Sequence, residues 1–190
     1  KLQGYFEMIG IPHSTSSSFV TSLTFQKFHC NQFLKNLGVN VAEAFLLRLE
    51  DEIDENEILK KIGLPCFVKP TNAGSSYGIT KVKSLKELIP AIKNAFSYGN
   101  EVVIEANIPG REVTNGIYRN KEGLKTLPIT EIISENEYFD YEAKYNGKSK
   151  EITPADFSKE HTQKIKSLTS FIYKTLGMNG LARMDYIINK

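Results

Sequence analysis

Apolar positions along the chain fall into helix-like and strand-like periods that glycines and prolines interrupt. Leu2, Phe6 and Ile9 recur at helical spacing until Gly10 and Pro12 stop them, and a polar run from Ser14 to Ser18 follows. From Ser22 to Leu37, the side chains Phe25, Phe28, Cys30, Phe33, Leu34 and Leu37 fit one face of a single helix that Gly38 ends. Val39 and Val41 predict a short strand. Glu50 to Asn56 reads as a solvated acidic face, and Ile58, Leu59 and Ile62 complete a small helix before Gly63. Phe67-Val68-Lys69, closed by Pro70, and Ile79 to Val82 read as two strands around the loop Gly74-Ser75-Ser76-Tyr77-Gly78. Ser84-Leu85-Lys86-Glu87 reads as a capping box opening a helix with Leu85, Leu88, Ile89, Ile92 and Phe96 on one stripe. Pro90 conflicts with that stripe and predicts either a kink or a helix that starts there.

Further along, Glu101 to Glu105 reads as a buried strand with an acid at its exit. Val113 to Tyr118 and Pro128 to Ile133 predict an antiparallel hairpin with a turn at 120–123. The polar, aperiodic stretch 135–151 reads as a mobile surface loop of the length that lids have. Ser158 caps a helix with Ile165, Leu168, Ile172 and Leu176 on its buried face, ended by Gly177. In the last stretch, Gly180 to Ile188, a strand would put Arg183 and Asp185 on the same face.

Composition narrows the function classes. The chain has 190 residues, 41% hydrophobic and 24% charged, which suffices for a globular core. A net charge of +2 with acids and bases intermixed leaves no basic footprint for nucleic acid or a membrane surface, so a small-molecule substrate is expected. Nothing in the sequence has a signal-peptide layout or the length to span a bilayer. Two cysteines, Cys30 and Cys66, predict no disulfide framework and a reducing compartment, the cytoplasm. His13, His29 and His161 lack metal-ligand spacing and read as surface or packing residues.

The Gly/Ser loop carries the first candidate chemistry. Glycines, two hydroxyls and several N–H groups can wrap phosphate oxygens while Lys69 neutralises their charge, with both Gly74 and Gly78 free to take positive φ. It is not a Walker A loop, since no Gly-Lys-Ser/Thr follows and no helix opens there. On these residues alone an ordinary hairpin is the simpler reading. Likewise Lys27 reads as a solvated helix lysine, and Arg183 and Asp185 as a pair that binds itself or a ligand.

V-K-P-x-x-x-G-S-S-x-G-I-x-K-V resembles the glycine-rich loop of the ATP-grasp ligases, in the form found in the D-alanine–D-alanine ligases. The likeness extends from Leu2 to Asp185: L-Q-G-x-x-E-x-x-G-I-P near the start, P-G-R-E-V-T, the loop Y-F-D-Y-E-A-K-Y, T-P-A at 153–155 and G-x-x-R-x-D at 180–185. It implies an α+β ATP-grasp fold in which two α+β subdomains grip a nucleotide. Residues 1–21 would be the tail of an N-terminal domain, 22–105 the central subdomain and 106–190 an incomplete C-terminal subdomain, with an ω-loop at about 135–151.

The resemblance assigns ATP to Lys27, Lys69, Gly74, Ser76, Glu105, Ile108, Glu112, Tyr138 and Lys144. Glu105 and Ile108 would lie near the adenine, Tyr138 would border it, Glu112 would take the ribose and the three lysines the phosphates. Ala106 stands where many relatives have lysine, and no side-chain role passes to it. Ser75, Tyr145 and Arg183 would be catalytic, and Asp185 would hold Mg2+ or Mn2+. The implied reaction joins two D-alanines at the expense of ATP for peptidoglycan precursors, in a homodimeric full-length protein. The family's E-x-N metal-binding strand and its N-terminal glutamate are not in this sequence, so an inactive fragment is expected. A ligase forming D-alanyl-D-lactate or joining another carboxylate and amine is one alternative, although Tyr145 favours the dipeptide. A non-catalytic nucleotide-binding module is another.

Overall fold

The computed structural model describes residues 2–134 and 149–189. Within them the chain forms two compact units, one of residues 23–108 and one of residues 2–22, 109–134 and 149–189.

The first unit contains α3 (Lys27–Asn36), β1 (Ala44–Arg48), α4 (Glu55–Ile62), β2 (Cys66–Pro70), β3 (Thr80–Val82), α5 (Leu85–Phe96) and β4 (Glu101–Ala106). Its strands form an antiparallel sheet in the order β1-β4-β2-β3, with the expected buried strand β4 at its interior. Period-two alternation puts Cys66, Val68, Val82, Val102 and Ile104 on one face, where Ile58 and Ile62 of α4 and Leu88, Ala91, Ile92 and Ala95 of α5 cover them. Each fully buried Val, Leu or Ile there stabilises the unit by about 1.5–3 kcal/mol. The opposite face carries Phe67, Lys69, Val103 and Glu105, in register with one another. Cys66 is fully buried, and desolvation pushes its thiol pKa up to about 11. Both cysteines are free.

Three expectations change here. The helix expected from Ser22 to Leu37 is two helices, α2 (Ser18–Phe25) and α3, broken at Gln26, whose φ of −91° and ψ of 94° are extended. Tertiary bonding sets the break, because the Lys27 N–H leaves the helical ladder and donates to Thr71 O at 2.9 Å. The strand expected at Val39 and Val41 lies further on, as β1, which pairs with β4 from Ala44↔Glu105 to Arg48↔Glu101. Pro90 neither starts nor ends α5, which runs through it. It is exposed on the outer side, where water can serve the carbonyl its missing N–H leaves. The capping box is half formed: Glu87 accepts from Lys83 N–H at 2.9 Å and from the Ser84 hydroxyl at 2.8 Å, so that hydroxyl does not cap a backbone N–H.

In the second unit β5 (Arg111–Asn120), β6 (Gly123–Ser134), β7 (Ser149–Ile152) and β8 (Leu181–Ile188) form an antiparallel sheet ordered β7-β6-β5-β8. The long hairpin β5–β6 turns at Gly123, with φ of +115°, and slips register once between Asn115 and Ile117. α6 (Lys159–Thr175), capped by the Ser158 hydroxyl accepting from His161 N–H, packs Ile165 against Val113 and Ile129, with Phe157, Tyr186 and Ile188 around them. Residues 149–151, expected within a loop, belong to β7. α1 (Leu2–Met8) is tied to this unit indirectly. Glu7 of α1 accepts from Ser18 N–H at 2.9 Å, and Ser16 Oγ both donates to Asn179 O at 3.0 Å and accepts from Asn179 N–H at 3.1 Å.

Candidate functional site

The expected site residues divide between the two units. In the first, β2 carries Lys69 out of the sheet on the face opposite the helices α4 and α5, and β4 carries Glu105 out on the same face. Their register, Phe67↔Glu105 and Lys69↔Val103, makes the two side chains diagonal neighbours, and Lys69 Nζ lies 2.5 Å from Glu105 Oε2. Both are well shielded, with side chains 19% and 10% exposed, so the pair sits where charges attract more strongly than in open water. Asn31, one helical turn after Lys27 on α3, approaches the other carboxylate oxygen with its Nδ2 at 3.4 Å. The sequence reading passed over Asn31. Its signal was the i, i+4 spacing from Lys27.

Lys27 is not a solvated helix lysine. Its Nζ donates to Pro70 O at 3.1 Å, Thr71 O at 3.4 Å and Ala73 O at 2.5 Å, which anchors an ammonium at the exit of β2 just ahead of the Gly/Ser loop. That exit is itself fixed, since Thr71 is fully buried and both its N–H and its hydroxyl bond Glu101 O, at 3.1 and 3.4 Å. In the loop, Tyr77 N–H closes back on Gly74 O at 3.1 Å. The left-handed positions differ from expectation. Gly78 takes φ of +69°, but Gly74 does not take positive φ; Ser75 and Ser76 do, at +50° and +60°. Two consecutive non-glycine residues in that region cost of order 1 kcal/mol or more each, a pattern that concentrates at ligand clamps. Ile108 follows β4 and is half-buried.

In the second unit, Glu112, Arg183 and Asp185 share the face of the sheet opposite α6. Glu112 pairs with Ile187, Thr114 with Asp185 and Gly116 with Arg183, which places all of these side chains together. Arg183 and Asp185 form a two-bonded fork, Nε to Oδ1 at 3.0 Å and Nη2 to Oδ2 at 3.2 Å, with side chains 66% and 52% exposed. The Thr114 hydroxyl beside Asp185 is buried without a hydrogen-bond partner among the described residues. Asp185 offers hard oxygen to a divalent cation, but no group of three or more His, Cys, Asp or Glu side chains converges among the described residues. It therefore fits as one ligand of such an ion. Tyr138, Lys144 and Tyr145 lie outside the described residues. No described helix is long and apolar enough to cross a membrane.

An ion pair that the sequence reading did not single out stands on the other face of β5. Arg111 forks onto Glu131 of β6, Nε to Oε1 and Nη2 to Oε2 both at 2.6 Å, and Nη2 also donates to Asp156 O at 3.1 Å. The guanidinium lies 4.0 Å from the centre of the Phe157 ring. Arg111 thereby straps the segment after β7 to the sheet, where Ala155 N–H bonds Ile129 O at 2.8 Å.

Comparison with known proteins adds the following. The family described as "D-ala D-ala ligase C-terminus" matches residues 33–190. A D-alanine–D-alanine ligase from Phocaeicola vulgatus is 50% identical over 189 residues, covering 100% of this chain and 58% of that protein. Among solved structures, the D-Ala:D-Ser ligase of Enterococcus faecalis matches with a TM-score of 0.87 and 32% identity, over 98% of this chain and 55% of that one. The D-alanine–D-alanine ligase of Bacillus anthracis complexed with ATP matches with a TM-score of 0.84 and 27% identity, over 100% of this chain and 59% of that one. The chain thus spans a little over half the length of the curated relatives it matches.

Proposed function

The chain belongs to the D-alanine–D-alanine ligase family and has its ATP-grasp fold, and from that premise we propose that it is the nucleotide-binding part of an ATP-dependent ligase joining two D-alanines for peptidoglycan precursors. One observation carries the reading furthest: Lys69 held 2.5 Å from Glu105 on the face of the first sheet opposite α4 and α5, with Lys27 anchored ahead of a loop whose two serines take left-handed conformations. A solvated hairpin needs none of this. A clamp for a triphosphate needs fixed cations beside amides and hydroxyls.

In this reading the carboxylate of one D-alanine attacks the γ-phosphorus of ATP, ADP leaves, and the amine of a second D-alanine displaces phosphate from the acyl phosphate. Both steps build negative charge on oxygen, so positioning and electrostatics supply most of the rate. Lys27, Lys69, Lys144 and the donors of Gly74 to Ser76 hold the phosphates. Glu105, Ile108 and Tyr138 neighbour the adenine, and Glu112 accepts from the ribose hydroxyls. Arg183 faces the transferring phosphoryl group and the tetrahedral oxyanion, for which it must exchange its fork with Asp185. Ser75 and Tyr145 orient the substrates. A magnesium ion, for which Asp185 would be one ligand, supplies charge neutralisation at the phosphates.

The test is phosphate release in the full-length protein, with D-alanine first and D-alanine, D-serine or D-lactate offered second. D-alanine as the preferred second substrate is expected. Preference for D-serine would point to the D-Ala:D-Ser type, and no ATP binding at all would end the reading.

A further inference from the structure

Tyr98 sits in the turn that leads from α5 to β4, where its N–H bonds Ala95 O at 3.1 Å. Its ring stacks on Tyr77 of the Gly/Ser loop, with centroids 6.3 Å apart and planes at 25°. A side chain at Gly78 would collide with it: a Cβ there would stand 2.6 Å from Tyr98 Cδ2 and 3.2 Å from Pro70 Cδ. The next residue along the turn makes a second close approach, since a Cβ on Gly99 would stand 2.9 Å from the Asn72 side-chain oxygen. The exit of β2, the Gly/Ser loop and the 97–100 turn therefore seat against one another, with Tyr98 in the middle.

Tyr98 does not fill the core. It is 48% exposed, and Tyr77 is 50% exposed. An aromatic pair so placed contributes little burial for its size, yet it leans directly on the Gly/Ser loop. Glycine and serine have small side chains, and glycine loses the most backbone freedom on ordering, so a loop made of them gains from an external support.

We propose that Tyr98 is a positioning residue for the Gly/Ser loop, its ring holding residues 74–78 in the conformation that binds phosphate, and that position 78 is glycine so that the ring can seat. The proposal rests on the reading of this loop as a triphosphate clamp. An ordered clamp binds more tightly because less freedom is lost on binding.

The test compares wild type, Tyr98→Ala and Tyr98→Phe by titration with ATP and, separately, AMP, which lacks the phosphates such a clamp would hold, together with amide exchange over 74–79. In Tyr98→Ala, ATP affinity should fall about tenfold while AMP affinity holds, and exchange across 74–79 should rise several-fold, with Tyr98→Phe like wild type in both. Equal losses for ATP and AMP, unchanged exchange in Tyr98→Ala, or a Tyr98→Phe variant as poor as Tyr98→Ala would each overturn the proposal. Failure of wild type to bind ATP would instead remove the clamp reading, and the exchange measurement alone would then decide whether Tyr98 orders the loop.

Discussion

Replacing Arg111 with methionine keeps most of the side chain's length and removes its charge and its fork. Glu131 then loses both of its 2.6 Å bonds while its side chain remains only 12% exposed, and Asp156 O and the Phe157 ring lose their partner. A charge-assisted hydrogen bond of this kind contributes about 1.5–3 kcal/mol, and cation–π stacking at a half-exposed site about 0.5–1. Arg111 itself is 43% exposed, so water recovers part of the loss, and a destabilisation of about 2–3 kcal/mol is expected near pH 7. A pH profile gives a second check. The hydrogen bond from Arg111 holds the Glu131 carboxyl below the usual carboxylate range, against the opposing pull of its own desolvation. A carboxylate with a depressed folded-state pKa contributes stability that is complete above its unfolded pKa, about 4.3, and is lost as pH falls through the folded one. The gap between wild type and Arg111→Met should therefore be widest near neutrality and close as the solution is taken below about pH 4. Urea unfolding followed by far-UV circular dichroism at several pH values measures it. A gap under about 0.5 kcal/mol at pH 7, or one of equal size at pH 3, would refute the reasoning.

Three further outcomes follow from the first unit. Lys69→Met and Glu105→Gln should each destabilise by about 1–3 kcal/mol, but the double variant should lose clearly less than the sum; strict additivity in the cycle would mean the shielded pair carries no coupling. Leu88→Ala should cost about 2–5 kcal/mol in denaturant unfolding, because Leu88 is fully buried against the sheet; a cost below 1 would show that the site collapses around the void. Asp54→Ala should cost about 1 kcal/mol, since its carboxylate accepts from Asn56 N–H at 2.9 Å and Glu57 N–H at 3.1 Å at the start of α4, and an unchanged midpoint would show the cap to be idle.

Elements with strong local signals were legible in the sequence. The hairpin around the Gly/Ser loop, the helices α5 and α6, the helix ending at Gly63 and the buried strand before Ala106 all followed from period and punctuation, although Leu85 of the expected α5 stripe is exposed and Ala91 and Ala95 are buried in α5 beside Leu88 and Ile92. What stayed hidden depended on distant partners. The break at Gln26 exists because Thr71 O draws the Lys27 N–H away. β1 is an unalternating A-F-L-L-R run made a strand by β4, and β7, S-K-E-I, is a polar edge strand held by its backbone ladder to β6. The same holds within the candidate site. Arg183 and Asp185 sit two apart on one strand, so their shared face could be read directly. The contact of Lys69 with Glu105 needs the register of two strands far apart in sequence, and no local pattern contains it.

Cys66 turns the closed first sheet into a clock. Shut away at the start of β2, under α4 and α5, with a thiol that stays protonated at physiological pH, it cannot attack a maleimide until the surrounding elements part. The speed at which it becomes alkylated thus reports how often that layer breathes open, and slower labelling with nucleotide present would reveal a ligand clasping the layer shut.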